Sequence, residues 1–91
     1  MEGLTKNQQY NVSVAVFGAG YVGLVIATCF AEAGYRVVCV DVDAQKIINL
    51  NKYNISIYEP QLKELIIHNH QAKRLQFTVD HKYAIENSKL I

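Results

Sequence analysis

Residues Val12–Asp41 read VSVAVFGAGYVGLVIATCFAEAGYRVVCVD, and this stretch decides the fold. Its β-branched runs predict two buried parallel strands, Val12–Phe17 and Val37–Val40, and the apolar segment between them predicts a helix over about Tyr21–Ala33. A G-x-G-x-x-G turn joins the first strand to the helix, and Asp41 follows the second strand 18 residues after the third glycine. This order is typical of the βαβ unit that binds dinucleotides.

The three glycines of the turn have different physical roles. We expect Gly18 to turn the chain out of the strand with a positive φ, which a Cβ would penalise. Gly20 leaves room for a pyrophosphate to approach the backbone, and Gly23 lets the helix press against the strands. The free N–H groups and the dipole of the helix attract a diphosphate without a basic side chain. The predicted pyrophosphate site comprises the whole turn: Gly18, Ala19, Gly20, Tyr21, Val22 and Gly23.

Asp41 is the predicted partner of the adenosine ribose. Its carboxylate can accept hydrogen bonds from ribose hydroxyls and would repel a 2′-phosphate, which favours NAD over NADP. Lys46 lies one turn into the next predicted helix and could reach the same ribose. Because Asp41 stands at the strand end, we give its charge more weight than that of Lys46, and NAD is the expected cofactor. A buried βαβ unit whose glycines serve packing alone is the other interpretation of these residues.

Length and composition limit the classes of function. The chain has 91 residues, 51% of them hydrophobic, and a net charge of +1, so we expect one small domain and no nucleic-acid partner. Neither a secretory signal nor an apolar run near the ~18 residues of a membrane span is evident. Two cysteines without C-x-x-C spacing predict a cytoplasmic setting. Cys29 and Cys39 are predicted to be small buried hydrophobes and not nucleophiles.

The rest of the chain continues the alternation of helix and strand. Asp43 and Asp80 are predicted helix caps, and Pro60 suits the first position of a helix. We expect helices over about 44–52, 60–70 and 82–85, an extended segment at 55–58, a strand at 75–79 and a fourth strand beginning at 89. The predicted fold class is α/β, an incomplete Rossmann-type parallel sheet of order 3-2-1 plus the start of a fourth strand, with helices on both faces.

The chain divides into a polar leader, residues 1–11, and a truncated N-terminal part of a Rossmann domain, residues 12–91. It stops as an apolar strand begins, whereas domain boundaries usually fall in polar linkers. An open apolar edge on the first strand predicts self-association, so we expect a homo-oligomer.

Side-chain placement can also be predicted from the spacing. Apolar residues at a helical period predict the buried face of the first helix: Val22, Val25, Ile26, Cys29, Phe30 and Ala33. The three histidines, His68, His70 and His81, are expected at the surface, and the first two are too poorly spaced to bind a metal together. No catalytic or metal-ligating residue is predicted.

Three segments together resemble a known family. They are Val16–Leu24, Val37–Asp43, and Ile57–Pro60 followed by Leu62, and Arg74–Thr78 fits the same pattern. This set resembles the N-terminal domain of the UDP-glucose 6-dehydrogenases, within the UDP-glucose/GDP-mannose dehydrogenase family, over nearly the whole chain after residue 11. The Tyr-Glu-Pro sequence distinguishes this family from other NAD-dependent dehydrogenases, which share the glycine turn but lack that sequence at this distance from it.

The resemblance implies that the turn holds the NAD pyrophosphate and that Asp41 and Lys46 lie at the adenosine ribose. The family oxidises the C6 hydroxyl of a nucleotide sugar, of the UDP-glucose class here, to a carboxylate in two NAD-dependent steps, and so makes polysaccharide precursors. The cysteine that carries the intermediates, with its assisting residues, is implied to lie in later segments, so this chain alone is expected to be inactive.

The chain departs from the family pattern in one loop. Gln61 stands where a glycine is usual, and Asn54 and Ser56 stand where a glycine and a proline are frequent. These changes alter loop geometry and leave the cofactor chemistry intact. Three alternatives stay open: an NAD-sensing regulatory module, another dehydrogenase such as one for GDP-mannose or UDP-N-acetyl sugars, and a remnant that binds nothing.

Overall fold

The structure is a computed structural model that describes residues 13–56 and 59–90, with backbone alone at 89 and 90. The predicted leader, Val12 and the Ile57–Tyr58 part of the predicted extended segment lie outside the described residues. The described elements, in chain order, are β1 Ser13–Phe17, α1 Tyr21–Glu32, β2 Arg36–Val40, α2 Ala44–Asn51, α3 Pro60–Gln71, β3 Leu75–Thr78, α4 His81–Asn87 and β4 Lys89–Leu90.

Helix starts follow the caps expected from the sequence. The Asp43 carboxylate accepts a hydrogen bond from the N–H of Lys46 at 3.1 Å, and the Asp80 carboxylate accepts one from the N–H of Tyr83 at 2.9 Å. Pro60 occupies the first turn of α3, where its missing N–H costs no hydrogen bond. The predicted bounds of the helices are therefore confirmed to within a few residues.

The four described strands form one parallel sheet in the order β3-β2-β1-β4. This order confirms the predicted 3-2-1 arrangement, and the fourth strand lies on the far side of β1. β4 pairs with β1 only at Val14 and Ala15. Along β1, Val16 and Phe17 therefore extend past β4 within the described residues.

The core lies mainly on one face of the sheet. There, α1, α2 and α3 cover alternate strand residues such as Val14, Val37 and Cys39. On the other face, α4 contributes a smaller cluster in which Ala84 packs against Ala15 and Val38. Helices therefore cover both faces, as the α/β prediction requires.

The predicted buried face of α1 is wrong. The residues of α1 that are buried are Leu24, Ala27, Thr28 and Ala31, whereas Val22, Ile26, Cys29 and Ala33 are exposed, and Val25 and Phe30 are half-buried. Ala27 and Ala31 are fully buried because small side chains let the helix approach the sheet closely. Cys29 is therefore not a buried hydrophobe, while Cys39 is fully buried as predicted, and burial raises the pKa of its thiol to about 12.

Two of the three histidines also depart from the surface prediction. His68 is exposed, but His70 and His81 are half-buried against aromatic rings. His70 stacks on Phe77 with ring centroids 5.7 Å apart, and its Nδ1 is hydrogen-bonded to the Tyr53 hydroxyl at 2.7 Å. Burial lowers the pKa of His70.

Candidate functional site

The carboxyl ends of β1, β2 and β3 lie in one row. Phe17 pairs with Val40, and Val40 pairs with Thr78. The ladder continues one step beyond the strands, because the N–H of Gly18 donates to the carbonyl of Val40 at 2.7 Å and the N–H of Asp41 donates to that of Thr78 at 3.2 Å. This register brings Asp41 beside the glycine turn, in the crevice where α/β sheets of this kind bind ligands.

Each glycine of the turn has a different geometry. Gly18 has φ +103°, the positive value expected from the sequence. Gly20 has an extended backbone, and apart from its chain neighbours no atom of the described residues lies within 4 Å of the position of a Cβ. A Cβ at Gly23 would overlap the carbonyl oxygen of Gly18, so the close contact of α1 is with the turn itself.

The N-terminus of α1 is available for an anion. Its N-cap is Gly20, no side chain in the described part of the chain caps it by a hydrogen bond, and its first turn contains no acidic residue. The N–H groups of a first helical turn have no intrahelical partner, and the helix dipole places partial positive charge there. The arrangement can therefore bind a phosphate group through backbone alone.

Both oxygens of the Asp41 carboxylate accept hydrogen bonds from backbone. Oδ2 accepts from the N–H of Ala19 at 2.8 Å, and Oδ1 accepts from the N–H of Asp43 at 2.9 Å. Nζ of Lys46 lies 3.7 Å from Oδ2. The hydrogen bonds from Ala19 and Asp43, and then the charge of Lys46, hold the pKa of Asp41 below its usual value, against the opposing effect of burial.

This carboxylate therefore joins the glycine turn to the β2–α2 turn. Each carboxylate oxygen has a second lone pair, so Asp41 can still accept hydrogen bonds from ribose hydroxyls. The contact between Asp41 and Ala19, 22 residues apart, was not predicted from the sequence. The signal for it is the parallel register, which places Asp41, directly after β2, beside the glycine turn that follows β1.

Two cavities flank the glycine turn. One, of about 410 Å³, lies between α1 and α2, and its described lining includes Gly20, Tyr21 and Lys46. The other, of about 540 Å³, runs beside Gly18, Gly20, Tyr21 and Val22. The Tyr21 hydroxyl donates to Oε2 of Glu59 at 3.5 Å, which links the turn to the residue before Pro60. The turn is thus open on both sides, and Tyr21 stands between them.

The described residues contain neither a metal-binding cluster nor a membrane-spanning helix. Within the described residues, no group of three or more histidine, cysteine, aspartate or glutamate side chains is placed to hold a metal ion. The same part of the chain contains no helix long and apolar enough to cross a membrane.

A parallel sheet whose first strand passes through a glycine turn into a helix, with an acid at the end of the neighbouring strand, defines a dinucleotide-binding Rossmann domain. Within that class the chain belongs to the UDP-glucose/GDP-mannose dehydrogenase family, since the model of the family's NAD binding domain matches residues 12–91.

Individual relatives agree with this assignment. The chain is 51% identical over 78 residues to the UDP-glucose 6-dehydrogenase TuaD of Bacillus subtilis, a match that covers 86% of this chain and 17% of the relative. A UDP-glucose dehydrogenase structure from Pyrobaculum islandicum superposes with TM-score 0.80 at 34% identity, over 96% of this chain and 20% of that one.

A second solved structure is a ternary complex of GDP-mannose dehydrogenase from Pseudomonas aeruginosa. It gives TM-score 0.77 at 37% identity, over 86% of this chain and 19% of that one. The chain thus corresponds to the NAD-binding N-terminal part of these relatives and spans about a fifth of their length or less.

Proposed function

We propose that this chain binds the adenosine diphosphate half of NAD. The glycine turn, Gly18–Gly23, holds the pyrophosphate at the N-terminus of α1, and Asp41 and Lys46 hold the adenosine ribose. The observation that carries the proposal is the Asp41 carboxylate, which is fixed by Ala19 and Asp43 beside an uncapped helix N-terminus. The 2′-phosphate of NADP would be repelled by this negatively charged carboxylate, so we expect NAD to bind more tightly than NADP.

We further propose that the chain serves a nucleotide-sugar dehydrogenase of the UDP-glucose class. Such an enzyme would oxidise the C6 hydroxyl of the sugar to a carboxylate, a polysaccharide precursor, with two NAD molecules each accepting one hydride from C6 and one water supplying the second carboxylate oxygen. In this assignment the chain supplies cofactor binding and no catalytic side chain. Cys39 is buried with a raised pKa, which suits a packing role and not a nucleophile.

The nucleotide sugar is proposed from the relatives alone. UDP-glucose is favoured by the 51% identity to the Bacillus subtilis relative, and GDP-mannose is the alternative, because a GDP-mannose 6-dehydrogenase of Pseudomonas aeruginosa is 40% identical over 75 residues. A cytoplasmic setting is proposed as well. It is supported by the free thiols of Cys29 and Cys39, which suit a reducing compartment.

The binding proposal is tested by calorimetric titration with NAD and NADP. We expect weak saturable binding of NAD, weaker binding of NADP, and a loss of about tenfold or more in NAD affinity for Asp41→Ala, because hydrogen bonds to a charged group are worth roughly 1.5–3 kcal/mol. Glu64→Ala, an exposed position of α3, is the control. Identical titrations for Asp41→Ala and the unaltered chain would remove the ribose assignment.

The activity proposal needs the catalytic segments, which a chimera can supply. This chain replaces the matching 78 residues of the Bacillus subtilis relative, and NADH formation is followed with UDP-glucose and with GDP-mannose. We expect turnover with UDP-glucose that is reduced by Asp41→Ala. A folded chimera that binds NAD but oxidises neither sugar would contradict the enzyme assignment while leaving cofactor binding intact.

A further inference from the structure

The residues that follow α2 leave the helix through a left-handed turn. Tyr53 has φ 62°, a conformation that is strained for a bulky residue with a Cβ. Its N–H donates to the carbonyl of Leu50 at 3.0 Å, and the N–H of Asn54 donates to that of Asn49 at 2.8 Å, so the turn closes the end of the helix. We call residues 52–56 the exit segment of α2. A strained turn of this kind persists only where a tertiary contact holds it.

The side chain of Tyr53 makes that tertiary contact. Its hydroxyl is hydrogen-bonded to Nδ1 of His70 on α3 at 2.7 Å, and the two rings meet edge to face with centroids 5.3 Å apart. The His70 ring also stacks on Phe77 of β3. Asn51, the last residue of α2, donates from its side-chain amide to the carbonyl of Phe77 at 3.3 Å. The end of α2, its exit segment, α3 and β3 are therefore joined at these four side chains.

The exit segment also forms part of the wall of the proposed NAD site. Its last three residues, 54–56, line the cavity of about 410 Å³ together with Gly20 and Lys46. The described lining of this cavity does not include Tyr53 or His70. These two residues can therefore act on a ligand in the cavity only through the position of the exit segment.

Protonation of His70 opposes the contact with Tyr53. The neutral ring can bond the hydroxyl in either tautomer, because a hydroxyl both donates and accepts. From the elements packed against it the ring faces the Tyr53 hydroxyl and the Phe77 ring, and no carboxylate is paired with it in the described part of the chain. The C-terminal dipole of α3 favours a cation, and His68 is the nearest titratable group before it on the same helix. Burial outweighs the dipole and lowers the pKa of His70.

We propose that Tyr53 and His70 are positioning residues for the proposed NAD site, that their contact holds the exit segment of α2 in its NAD-binding position, and that protonation of His70 releases it. This role rests on the proposed binding of NAD. It makes NAD affinity fall in mild acid while Asp41 stays ionised, because the pKa of Asp41 lies below its usual value. A released His70 ring regains the ordinary imidazole pKa of about 6.5, so the loss should begin below that pH.

The test is the pH profile of NAD affinity, measured calorimetrically between about pH 8 and pH 5. As pH falls, we expect the unaltered chain to lose about three- to tenfold in affinity, the usual effect of one hydrogen bond. His70→Gln removes the titrating group and keeps a side chain that can bond the hydroxyl, so its affinity should stay constant. His68 and His81 remain in this variant. An equal pH dependence in folded His70→Gln would therefore assign the effect to other groups and overturn the proposal.

Two variants of Tyr53 separate the hydroxyl contact from the turn itself. Tyr53→Phe removes the hydroxyl and should bind NAD less tightly at neutral pH, with a flatter pH profile. Tyr53→Gly relieves the left-handed strain and removes the contact, so it should also bind less tightly. Tighter binding by Tyr53→Gly would show that only the turn matters and would overturn the role of the side chain. The control is Tyr83→Phe, which removes an exposed hydroxyl of α4 that donates to Gln76, and its affinity should be unchanged.

Measurements without ligand distinguish the possible failures. Thermal unfolding checks that each variant is folded, and NMR of the ¹⁵N-labelled chain follows the amides of residues 53–56 as pH is lowered. We expect these amides to shift with the titration of the His70 ring and not with that of His68. Amides that do not follow His70 would overturn the proposal whether or not NAD binds. If they follow it and the unaltered chain binds no NAD at neutral pH, the NAD proposal fails and the positioning role fails with it. NAD affinity that is equal at all pH values would overturn the positioning role alone.

Discussion

At the scale of a single residue, Asp41 connects stability to ligand binding. Its two oxygens accept hydrogen bonds from Ala19 and Asp43, so the carboxylate fixes the glycine turn before any ligand is bound. Hydrogen bonds to a charged acceptor are stronger than neutral ones, and the lowered pKa of Asp41 expresses the same preference for the ionised form. A ribose at Asp41 would therefore meet a preorganised site.

The first prediction concerns the pH dependence that follows from Asp41. Because its pKa is lower in the folded protein than in the unfolded chain, the carboxylate stabilises the fold above about pH 4, and this contribution is lost as pH falls through the lowered pKa. Asp41→Asn should therefore lower the free energy of unfolding by about 1–2 kcal/mol at neutral pH and by much less in acid.

Denaturant unfolding across this pH range measures the effect, with Glu64→Gln on the exposed face of α3 as the control. A difference between Asp41→Asn and the unaltered chain that stayed constant down to acid pH would contradict the assigned titration.

At the scale of elements, the contact between α1 and the glycine turn fixes the orientation of the helix. Gly23 touches the carbonyl of Gly18, and Ala27 and Ala31 rest fully buried on the sheet. The first turn of α1 consequently points its N–H groups into the crevice at the strand ends. Close packing at Gly23 thus contributes to the geometry of the site as well as to stability.

The second prediction separates the two glycines that border the turn. Gly23→Ala should destabilise the fold by about 1–3 kcal/mol, because overpacking at the Gly18 carbonyl outweighs the better helix propensity of alanine. Gly20→Ala is the matched control, since Gly20 has a permitted backbone conformation and open space around it.

Thermal unfolding and NAD titration of both variants form the measurement. Gly20→Ala should unfold like the unaltered chain and yet lose NAD affinity, because the new methyl group occupies the approach to the backbone. Equal free energies of unfolding for the two variants would contradict this prediction, because they would show that a methyl group at Gly23 can be accommodated beside the Gly18 carbonyl.

Local signals in the sequence predicted most of these elements. Asp43, Pro60 and Asp80 mark helix starts because capping depends on neighbouring backbone. The buried face of α1 could not be predicted from periodicity, because the helix is apolar on more than one side and small residues decide which side meets the sheet.

The candidate site could likewise be predicted only where it depends on neighbouring residues. The turn and Asp41 follow from a local motif, whereas the contacts of Asp41 with Ala19, of His70 with Tyr53 and of His81 with Phe17 join residues far apart in the chain. Phe17 is 64 residues from His81, so no spacing rule pairs them.

At the scale of the whole molecule, the described residues expose apolar side chains of α1 beside the glycine turn. Val22 and Ile26 are 68% and 36% exposed beside the same cavity that borders Gly18. Contiguous exposed apolar surface of this kind favours association. Because this surface lies beside the glycine turn, an associated chain would lie close to the proposed NAD site.

The third prediction is that the chain self-associates through this surface. Sedimentation velocity at increasing protein concentration should show a dimer or larger species, and Val22→Lys should shift it toward monomer because a charge is then placed in the contact. Ile85→Lys, at a 55% exposed position of α4, is the control. A chain that stays monomeric at high concentration would contradict this prediction.

The central claim is that the glycine turn and Asp41 together hold the adenosine diphosphate half of NAD, and amide chemical-shift mapping by NMR tests it most directly. As NAD is added to the ¹⁵N-labelled chain, we predict progressive, saturable shifts of the Gly18–Gly23 amides and of Asp41, Asp43 and Lys46, with little change in α3. Millimolar NAD that leaves these amides unmoved, or that moves only residues elsewhere, would contradict the account.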